Sequence, residues 1–226
     1  MQRKALVVGG TGLIGRFLVD YLLRDKEYDE VVVLTRREFP QQHFKLDKRI
    51  VDFENLEHSL NNVQIHDVFC ALGTTIRKAG SQEAFRKVDF EYPLRTASAA
   101  MKLGAKRFIV VSSVGADASS SNFYLKTKGE LERALSVEGF GGLVIFRPSV
   151  LLGERSEFRL GERLAAAAMK TITLFMKGPL ARYRPIEASA VALAMIAAAK
   201  QNPRGTHVFE SEQIMNLSVP SHEVAP

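Results

Sequence analysis

Residues 4–15 have the sequence KALVVGGTGLIG, an apolar run that leads directly into a glycine-rich turn. Pairs of apolar residues then recur every four positions from Leu13 to Leu22, which is typical of an amphipathic helix packed on a sheet. The stretch therefore predicts a strand, a tight turn and a helix. A glycine-rich turn between a strand and a helix is more specific for dinucleotide binding than the same motif elsewhere in a chain.

Three glycines in this turn have separate predicted roles. Gly9 permits the sharp turn, Gly12 lets the backbone approach a pyrophosphate, and Gly15 permits close packing of the helix on the strand. The phosphates would lie at the positive end of the helix, where backbone N–H groups are free to bind anions.

The second predicted strand, residues 30–34, ends at the position where a dinucleotide-binding fold distinguishes NAD from NADP. An acidic residue there would bind the ribose hydroxyls. The chain instead has Thr35, Arg36 and Arg37, and guanidinium groups suit a 2′-phosphate. We therefore expect NADP(H) to be preferred over NAD(H). The alternative is a solvated basic loop with no role in binding.

Tyr124 is the only one of five tyrosines that has a lysine four residues later, Lys128. A four-residue step along a helix places two side chains on nearly the same face. An ammonium close to a phenol favours the phenolate, so the tyrosine becomes a usable acid. Together with the glycine-rich turn, the pair predicts a nicotinamide-dependent redox enzyme. The alternative is an accidental surface pair.

The rest of the chain alternates between predicted strands and helices. Further strands are expected at 49–51, 66–73, 106–111, 143–146 and 207–210, and helices at 81–103 with a break near Pro93, 124–137, 160–176 and 191–199. This alternation predicts an α/β fold, a Rossmann-type doubly wound parallel sheet. We expect one domain over residues 1–226, with a cofactor-binding core at 1–150 and a small substrate-side part at 151–226. The tail from residue 218 is expected to be frayed.

Composition argues against several other classes of protein. The net charge is +6, but basic and acidic residues are interspersed, so we do not expect nucleic acid as the primary partner. The sequence has no apolar run of about 18 residues and no recognisable leader, which predicts a cytoplasmic protein without a membrane span. The single cysteine, Cys70, and five scattered histidines predict neither a disulfide nor a metal site.

Several longer motifs occur in order along nearly the whole chain. They are VDFE at 51–54, HDVFCALGTTIRKAG at 66–80, SSVGAD at 112–117, SNFYLKTKGE at 121–130 and FRP at 146–148. With these motifs the chain resembles the extended-like atypical branch of the short-chain dehydrogenase/reductase superfamily. Within that branch it is similar to the HIV Tat-interacting-protein family of NAD(P)-binding oxidoreductases and its bacterial relatives.

The resemblance implies a set of site residues. The implied catalytic residues are Ser113, Tyr124 and Lys128, with Ser112 as the alternative to Ser113 for the hydroxyl that binds the carbonyl. The implied cofactor-binding residues are Gly9, Thr11, Gly12, Leu13, Ile14, Arg36, Arg37, Asp52, Phe53, Ala71, Leu72, Gly73, Ser112, Tyr124, Lys128, Arg147, Pro148 and Ser149. The expected reaction is hydride transfer between NADP(H) and a carbonyl or alcohol substrate. The apolar faces of the predicted helices at 160–176 and 191–199 are expected to pack in the core, and a homodimer interface is the alternative.

Two other functions remain as alternatives. One is an NADPH-binding redox sensor or protein-interaction module with little catalysis, and the other is a nucleotide-sugar epimerase or dehydratase. The second is disfavoured by the short segment after Arg147. The chain departs from its relatives in one further respect: the predicted helix at 81–103 contains no asparagine, whereas many short-chain reductases use one there in a proton relay. Val88-Asp89 stands where extended relatives often have Val-Asn.

Overall fold

The computed structural model describes residues 3–56, 60, 64–153 and 182–219. The strands in this part of the chain are β1 (Arg3–Val8), β2 (Tyr28–Thr35), β3 (Leu46–Ile50), β4 (Asp67–Cys70), β5 (Arg107–Val111), β6 (Gly142–Arg147), β7 (Leu151–Leu152), β8 (Ile186–Glu187) and β9 (Gly205–Glu210). The helices are α1 (Gly15–Arg24), α2 (Ile76–Ala79), α3 (Gln82–Arg86), α4 (Tyr92–Lys102), α5 (Phe123–Ser136), α6 (Ala188–Lys200) and α7 (Ser211–Ser218), with a π-helical turn at Lys87–Glu91.

Seven strands form one sheet in the order β3-β2-β1-β4-β5-β6-β9, and every neighbouring pair is parallel. This confirms the predicted Rossmann-type α/β fold. The strand order reverses between β1 and β4, which is the position where open parallel sheets bind ligands beyond the carboxyl ends of their strands. The strands β7 and β8 form a separate parallel pair.

Successive residues of the five inner strands, β2, β1, β4, β5 and β6, pack into two cores, one on each face of the sheet. In β1, Ala5 and Val7 belong to a cluster that includes the buried faces of α1 and α6. Leu6 and Val8 belong to the opposite cluster, which includes residues of α4 and α5. Side chains of a strand alternate between faces, so a fully apolar strand is expected where helices cover both sides.

The predicted helix at 81–103 is present but is divided into three parts. The helix α3 passes into the π-helical turn Lys87–Glu91, and α4 begins at Tyr92 with Pro93 in its first turn. A proline has no N–H to donate to the preceding turn, so the hydrogen-bonding pattern changes there. The expected break near Pro93 is therefore confirmed, and Asp89 lies in the irregular turn.

Some predicted boundaries were wrong. The strand expected at 66–73 is instead Asp67–Cys70, and residues 71–73, which follow it, line a cavity. The strand expected at 49–51 is instead Leu46–Ile50, an edge strand whose polar residues 47–49 hide the alternation of a buried strand. The helix expected at 160–176 lies outside the described residues.

The C-terminal part contributes to the main sheet and its core. The strand β9 pairs with β6, and α6 packs against α1. The helix α7 was not predicted, although Glu210 and Gln213 form a capping box at its start. The division of the domain at residue 150 stays a prediction. No helix among the described residues has the length and apolarity needed to cross a membrane.

Candidate active site

The glycine-rich turn closes tightly at the carboxyl end of β1. Gly9 has a φ of +82°, and a Cβ placed on it would lie 2.5 Å from the carbonyl oxygen of Ala71. A Cβ on Gly15 would lie 2.0 Å from the carbonyl oxygen of Gly9. The N–H of Gly12 donates to that same oxygen at 2.9 Å. The turn therefore requires glycine at Gly9 and Gly15 for steric reasons.

Two adjoining cavities of about 370 Å³ each lie along the carboxyl edge of the sheet. We call the one beside β2 the first cavity and the one beside α5 the second cavity. Both are lined by Thr11 and Gly12 of the turn, by residues 71–74 after β4 and by Lys78. A cleft made of two joined halves matches the two halves of a dinucleotide.

The first cavity has a cationic rim. Its lining includes Arg36, Lys78 and Lys87, and none of the residues that line it is acidic. Lys87 also makes an ion pair with Glu54 at 2.9 Å. A cavity lined in this way attracts an anionic group.

Phe53, but not its neighbour Asp52, lines the first cavity. The buried Phe53 ring stacks on Tyr92, with ring centroids 5.1 Å apart. Asp52 accepts hydrogen bonds from the Glu54 backbone N–H and the Asn55 amide, which together lower the pKa of its carboxyl. Its contacts therefore stabilise the local turn.

Tyr124 and Lys128 both line the second cavity from α5. Asn122 caps this helix by accepting from the Leu125 N–H at 3.1 Å. The Tyr124 ring packs against Phe85 of α3 at 5.7 Å between centroids. The predicted four-residue spacing thus brings the phenol and the ammonium to one cavity.

Lys128 is buried, and its ammonium lies 2.7 Å from Oδ1 of Asp89. Burial alone lowers the pKa of this lysine, but the Asp89 carboxylate and the Tyr124 phenol raise it above its ordinary value. The other oxygen of Asp89 accepts from the Thr74 N–H at 2.8 Å. Asp89 thereby connects the loop after β4 to the lysine.

Glu132 lies one helical turn beyond Lys128 and joins α5 to two strand ends. It accepts from the Ser112 hydroxyl after β5 and from the Arg147 guanidinium at the end of β6. This bidentate pairing raises the pKa of Arg147, partly opposed by burial. Ser112 and Arg147 therefore support the position of α5.

Some of the remaining expected site residues line the cleft, and others do not. Leu13 and Ile14 line the second cavity, as do Ala71, Leu72, Gly73 and Ser112. Six expected site residues line neither cavity in the described part of the chain, namely Arg37, Asp52, Ser113, Arg147, Pro148 and Ser149. The Ser113 hydroxyl donates to the Val114 carbonyl at 3.3 Å, and the Ser149 N–H donates to Ser211 Oγ at 3.0 Å.

Sequence reasoning did not assign a role to Asp89, Glu132, Lys78 or Lys87. Glu132 could have been found, because it continues the four-residue spacing of Tyr124 and Lys128 along one helix face. The two lysines carry no such signal, since only the tertiary fold brings them over the first cavity. Over the described residues, no group of three or more His, Cys, Asp and Glu side chains could hold a metal ion.

The chain is similar to one protein family and to curated proteins from a mammal and a yeast. A model of the NAD dependent epimerase/dehydratase family matches residues 5–132. Protein HTATIP2 of Rattus norvegicus is 41% identical over 170 residues, which are 73% of this chain and 70% of that protein. The mitochondrial protein FMP52 of Candida albicans is 37% identical over 208 residues, covering 88% of this chain and 89% of that protein.

Solved structures share the fold at lower sequence identity. MoeE5 in complex with UDP-glucuronic acid and NAD has a TM-score of 0.68 at 21% identity, covering 91% of this chain and 75% of that one. The enzyme WbmH of Bordetella bronchiseptica in complex with NAD+ has a TM-score of 0.70 at 17% identity, with coverages of 96% and 80%. A UDP-glucose 4-epimerase of Thermotoga maritima has a TM-score of 0.68 at 18% identity, with coverages of 95% and 81%.

Proposed function

The chain belongs to the NAD dependent epimerase/dehydratase family, in the atypical short-chain dehydrogenase/reductase branch with HTATIP2 and FMP52, and we propose that it is an NADP(H)-dependent oxidoreductase. The proposed reaction interconverts a carbonyl and an alcohol. The observation that carries the proposal is the meeting of Tyr124 and buried Lys128 in a cavity continuous with the glycine-rich turn.

The cleft fits a dinucleotide on steric and electrostatic grounds. The backbone of Gly9 to Gly12 would hold the pyrophosphate at the start of α1, because the three glycines of this stretch have no Cβ to block its approach and the helix end is positive. Phe53 and Leu72 provide apolar walls in the first cavity. When bound, the nicotinamide supplies or accepts the hydride.

The preference for NADP(H) is proposed from the charge of the first cavity. Arg36, Lys78 and Lys87 line it without an acidic neighbour in the lining, which suits the extra 2′-phosphate. Arg37 follows on the same loop and is proposed to add to this charge. The solved structures with bound NAD are less than 25% identical to this chain and show the fold alone.

Tyr124 is proposed to exchange the proton with the substrate oxygen, while the charge of Lys128 stabilises the phenolate form. Ser113 is the proposed donor that holds the same oxygen. Ser112 is its alternative, because the residue lines the second cavity, although its hydroxyl donates to Glu132.

The test begins with fluorescence titration of NADPH and NADH, followed by NADPH oxidation with a panel of aldehydes, ketones and quinones. We expect tighter binding of NADPH than of NADH, and Arg36→Ala should reduce this difference. Tyr124→Phe should abolish turnover while leaving the Kd for NADPH nearly unchanged, since the lost hydroxyl acts on the substrate. Full activity in Tyr124→Phe would remove Tyr124 from the mechanism.

The same experiment separates the two alternatives. Binding of NADPH without turnover on the whole panel would favour the sensor or interaction module. The family description favours a second candidate, a nucleotide-sugar epimerase or dehydratase, so UDP-glucose with NAD+ is added to the panel. Conversion of UDP-glucose without net oxidation would favour that candidate.

Location and assembly remain proposals. We propose a cytoplasmic protein, and the mitochondrial relatives make the mitochondrion the alternative compartment. A homodimer is proposed as the assembled form.

A further inference from the structure

Lys128 is the buried cation of the second cavity, and burial of an ammonium has a physical cost. An unpaired lysine taken out of water tends to lose its proton, because the neutral amine needs less solvation. The proposed acid Tyr124 depends on Lys128 staying charged. Some group must therefore hold that proton in place.

Asp89 is the group placed to do this. Its Oδ1 lies 2.7 Å from the Lys128 ammonium, its Oδ2 accepts from the Thr74 N–H at 2.8 Å, and only 1% of the residue is exposed. The carboxylate is held from one side by the loop after β4 and faces the lysine on the other. It lies in the π-helical turn Lys87–Glu91, and such irregular turns often occur at functional sites.

The other titratable groups around Lys128 do not replace this charge. Tyr124 on α5 is the proposed acid itself, and burial raises the pKa of the Cys70 thiol on β4 to about 12. Arg16 of α1 and Lys78 of α2 line the same cavity and carry positive charge. Glu132, the acid one turn further along α5, is paired with Arg147.

From this arrangement we infer that Asp89 is a positioning residue that keeps the Lys128 ammonium charged and fixed beside Tyr124, before any cofactor enters. The inference rests on the proposed function for its catalytic meaning. It extends that function by adding a carboxylate, Asp89, that acts on the site through Lys128.

The first test measures the protonation of Lys128 in the protein without cofactor. Nitrogen-15 NMR of the lysine Nζ atoms, with the Lys128 signal assigned by its loss in Lys128→Arg, is followed from about pH 6 to 10. In the wild type Lys128 should stay charged across this range. In Asp89→Asn, which keeps the shape and the Thr74 hydrogen bond, proton affinity should fall by at least about tenfold so that Lys128 neutralises within it.

Glu91→Gln is the matched control, because Glu91 lies on the same turn and pairs at 3.8 Å with the exposed Arg95. It should leave the Lys128 titration unchanged. The inference is overturned if Lys128 stays charged throughout in Asp89→Asn. If Asp89→Asn does not fold, the double variant Asp89→Asn/Lys128→Met should fold better, since it removes the unpaired charge; no gain would overturn the inference.

The second test is the pH profile of NADPH-dependent turnover. Asp89→Asn should lose activity first at alkaline pH, where its Lys128 is neutral, and retain more of it at acidic pH. A uniform loss at every pH would indicate only a structural role and would overturn the inference. If the wild type shows no turnover, the proposed function fails, while the NMR titration still decides the role of Asp89.

Discussion

At the residue scale, Gly9 shows how a backbone position can be limited by its neighbours as well as by its own conformation. Gly9 and Gly80 have φ values of +82° and +88°, so both are in the left-handed region that favours glycine. A Cβ on Gly9 would meet the Ala71 carbonyl, whereas a Cβ on Gly80 would have no atom within 4 Å among the described residues. A substitution at Gly80 would therefore cause only backbone strain, whereas one at Gly9 would cause backbone strain and a steric clash.

We predict that Gly9→Ala lowers the free energy of unfolding more than Gly80→Ala does. Each should lose about 1 kcal/mol to the left-handed backbone, and Gly9→Ala should lose about 1–3 kcal/mol more from overpacking against Ala71. Urea denaturation measures both. Gly9→Ala should also weaken NADPH binding, because the turn must shift. Equal losses in the two variants would show that the contact with Ala71 has no energetic weight.

The sequence predicted the residues whose partners are close along the chain. Tyr124 and Lys128 were found from a four-residue spacing, and the structure brings them to one cavity. Asp89 was noted only as a departure from Val-Asn, because its ion pair with Lys128 spans 39 positions and depends on how two helical segments pack. For Ser112 and Ser113, alternation alone could not decide which hydroxyl reaches the cleft.

At the element scale, α5 carries three residues in one line, Tyr124, Lys128 and Glu132. Only the first two line the second cavity, while Glu132 fixes the helix to β5 through Ser112 and to β6 through Arg147. The helix is therefore positioned by the strands whose ends border the cleft. These contacts hold Tyr124, the proposed acid on the helix, in position relative to the residues at the strand ends.

We predict that Glu132→Gln lowers the free energy of unfolding by about 2 kcal/mol, the scale of hydrogen bonds to charged groups. The amide cannot accept from both nitrogens of Arg147 and from Ser112, so a cation is left without its partner. Turnover should fall as well, because Tyr124 loses its fixed position. Urea denaturation and NADPH oxidation measure the two effects.

Glu130→Gln is the control for this variant, because Glu130 is on the same helix and pairs with Arg86 at a more exposed site. Its loss should be below about 1 kcal/mol. A similar cost for both substitutions would mean that the buried bonds of Glu132 do not hold the helix.

Elements with strong periodicity were predictable, and irregular ones were not. The apolar run of β1 and the amphipathic α1 were expected from pattern alone. The edge strand β3 was displaced in the prediction because its polar residues do not alternate, and the π-helical turn has no sequence pattern apart from the nearby Pro93.

At the scale of the whole molecule, the carboxyl ends and the amino ends of the parallel strands form two chemically different edges of the sheet. The cleft residues follow the last residues of strands, as Gly9 follows β1 and Ser112 follows β5. At the opposite edge, four first residues of strands form one polar cluster: Arg3 of β1, Tyr28 of β2, Asp67 of β4 and Arg107 of β5. The fold class could be predicted from strand and helix alternation, but this cluster requires the strand order, which the sequence does not reveal.

Asp67 is the centre of that cluster and is fully buried. Its Oδ2 accepts from the Tyr28 hydroxyl at 2.8 Å and lies 3.8 Å from the Arg3 guanidinium, while Oδ1 accepts from Arg107. Burial, and then the Asp67 carboxylate, raise the pKa of Tyr28 well above its ordinary value, so the tyrosine stays a donor. One carboxylate thus connects four neighbouring strands.

We predict that Asp67→Asn lowers the free energy of unfolding by about 3 kcal/mol and leaves the Kd for NADPH unchanged in the folded protein. Stability is lost because the two guanidinium groups lose the buried negative charge that compensates them. The Kd is unchanged because the cluster and the cleft lie at opposite ends of the strands. Urea denaturation and NADPH titration, at a temperature where the variant is folded, measure the two quantities.

Glu27→Gln is the control, because the half-exposed Glu27 is 3.8 Å from the same Arg3 and should contribute less than about 1 kcal/mol. A weaker NADPH affinity in Asp67→Asn would contradict the separation, since it would mean that strain at the amino ends of the strands reaches the glycine-rich turn through β1.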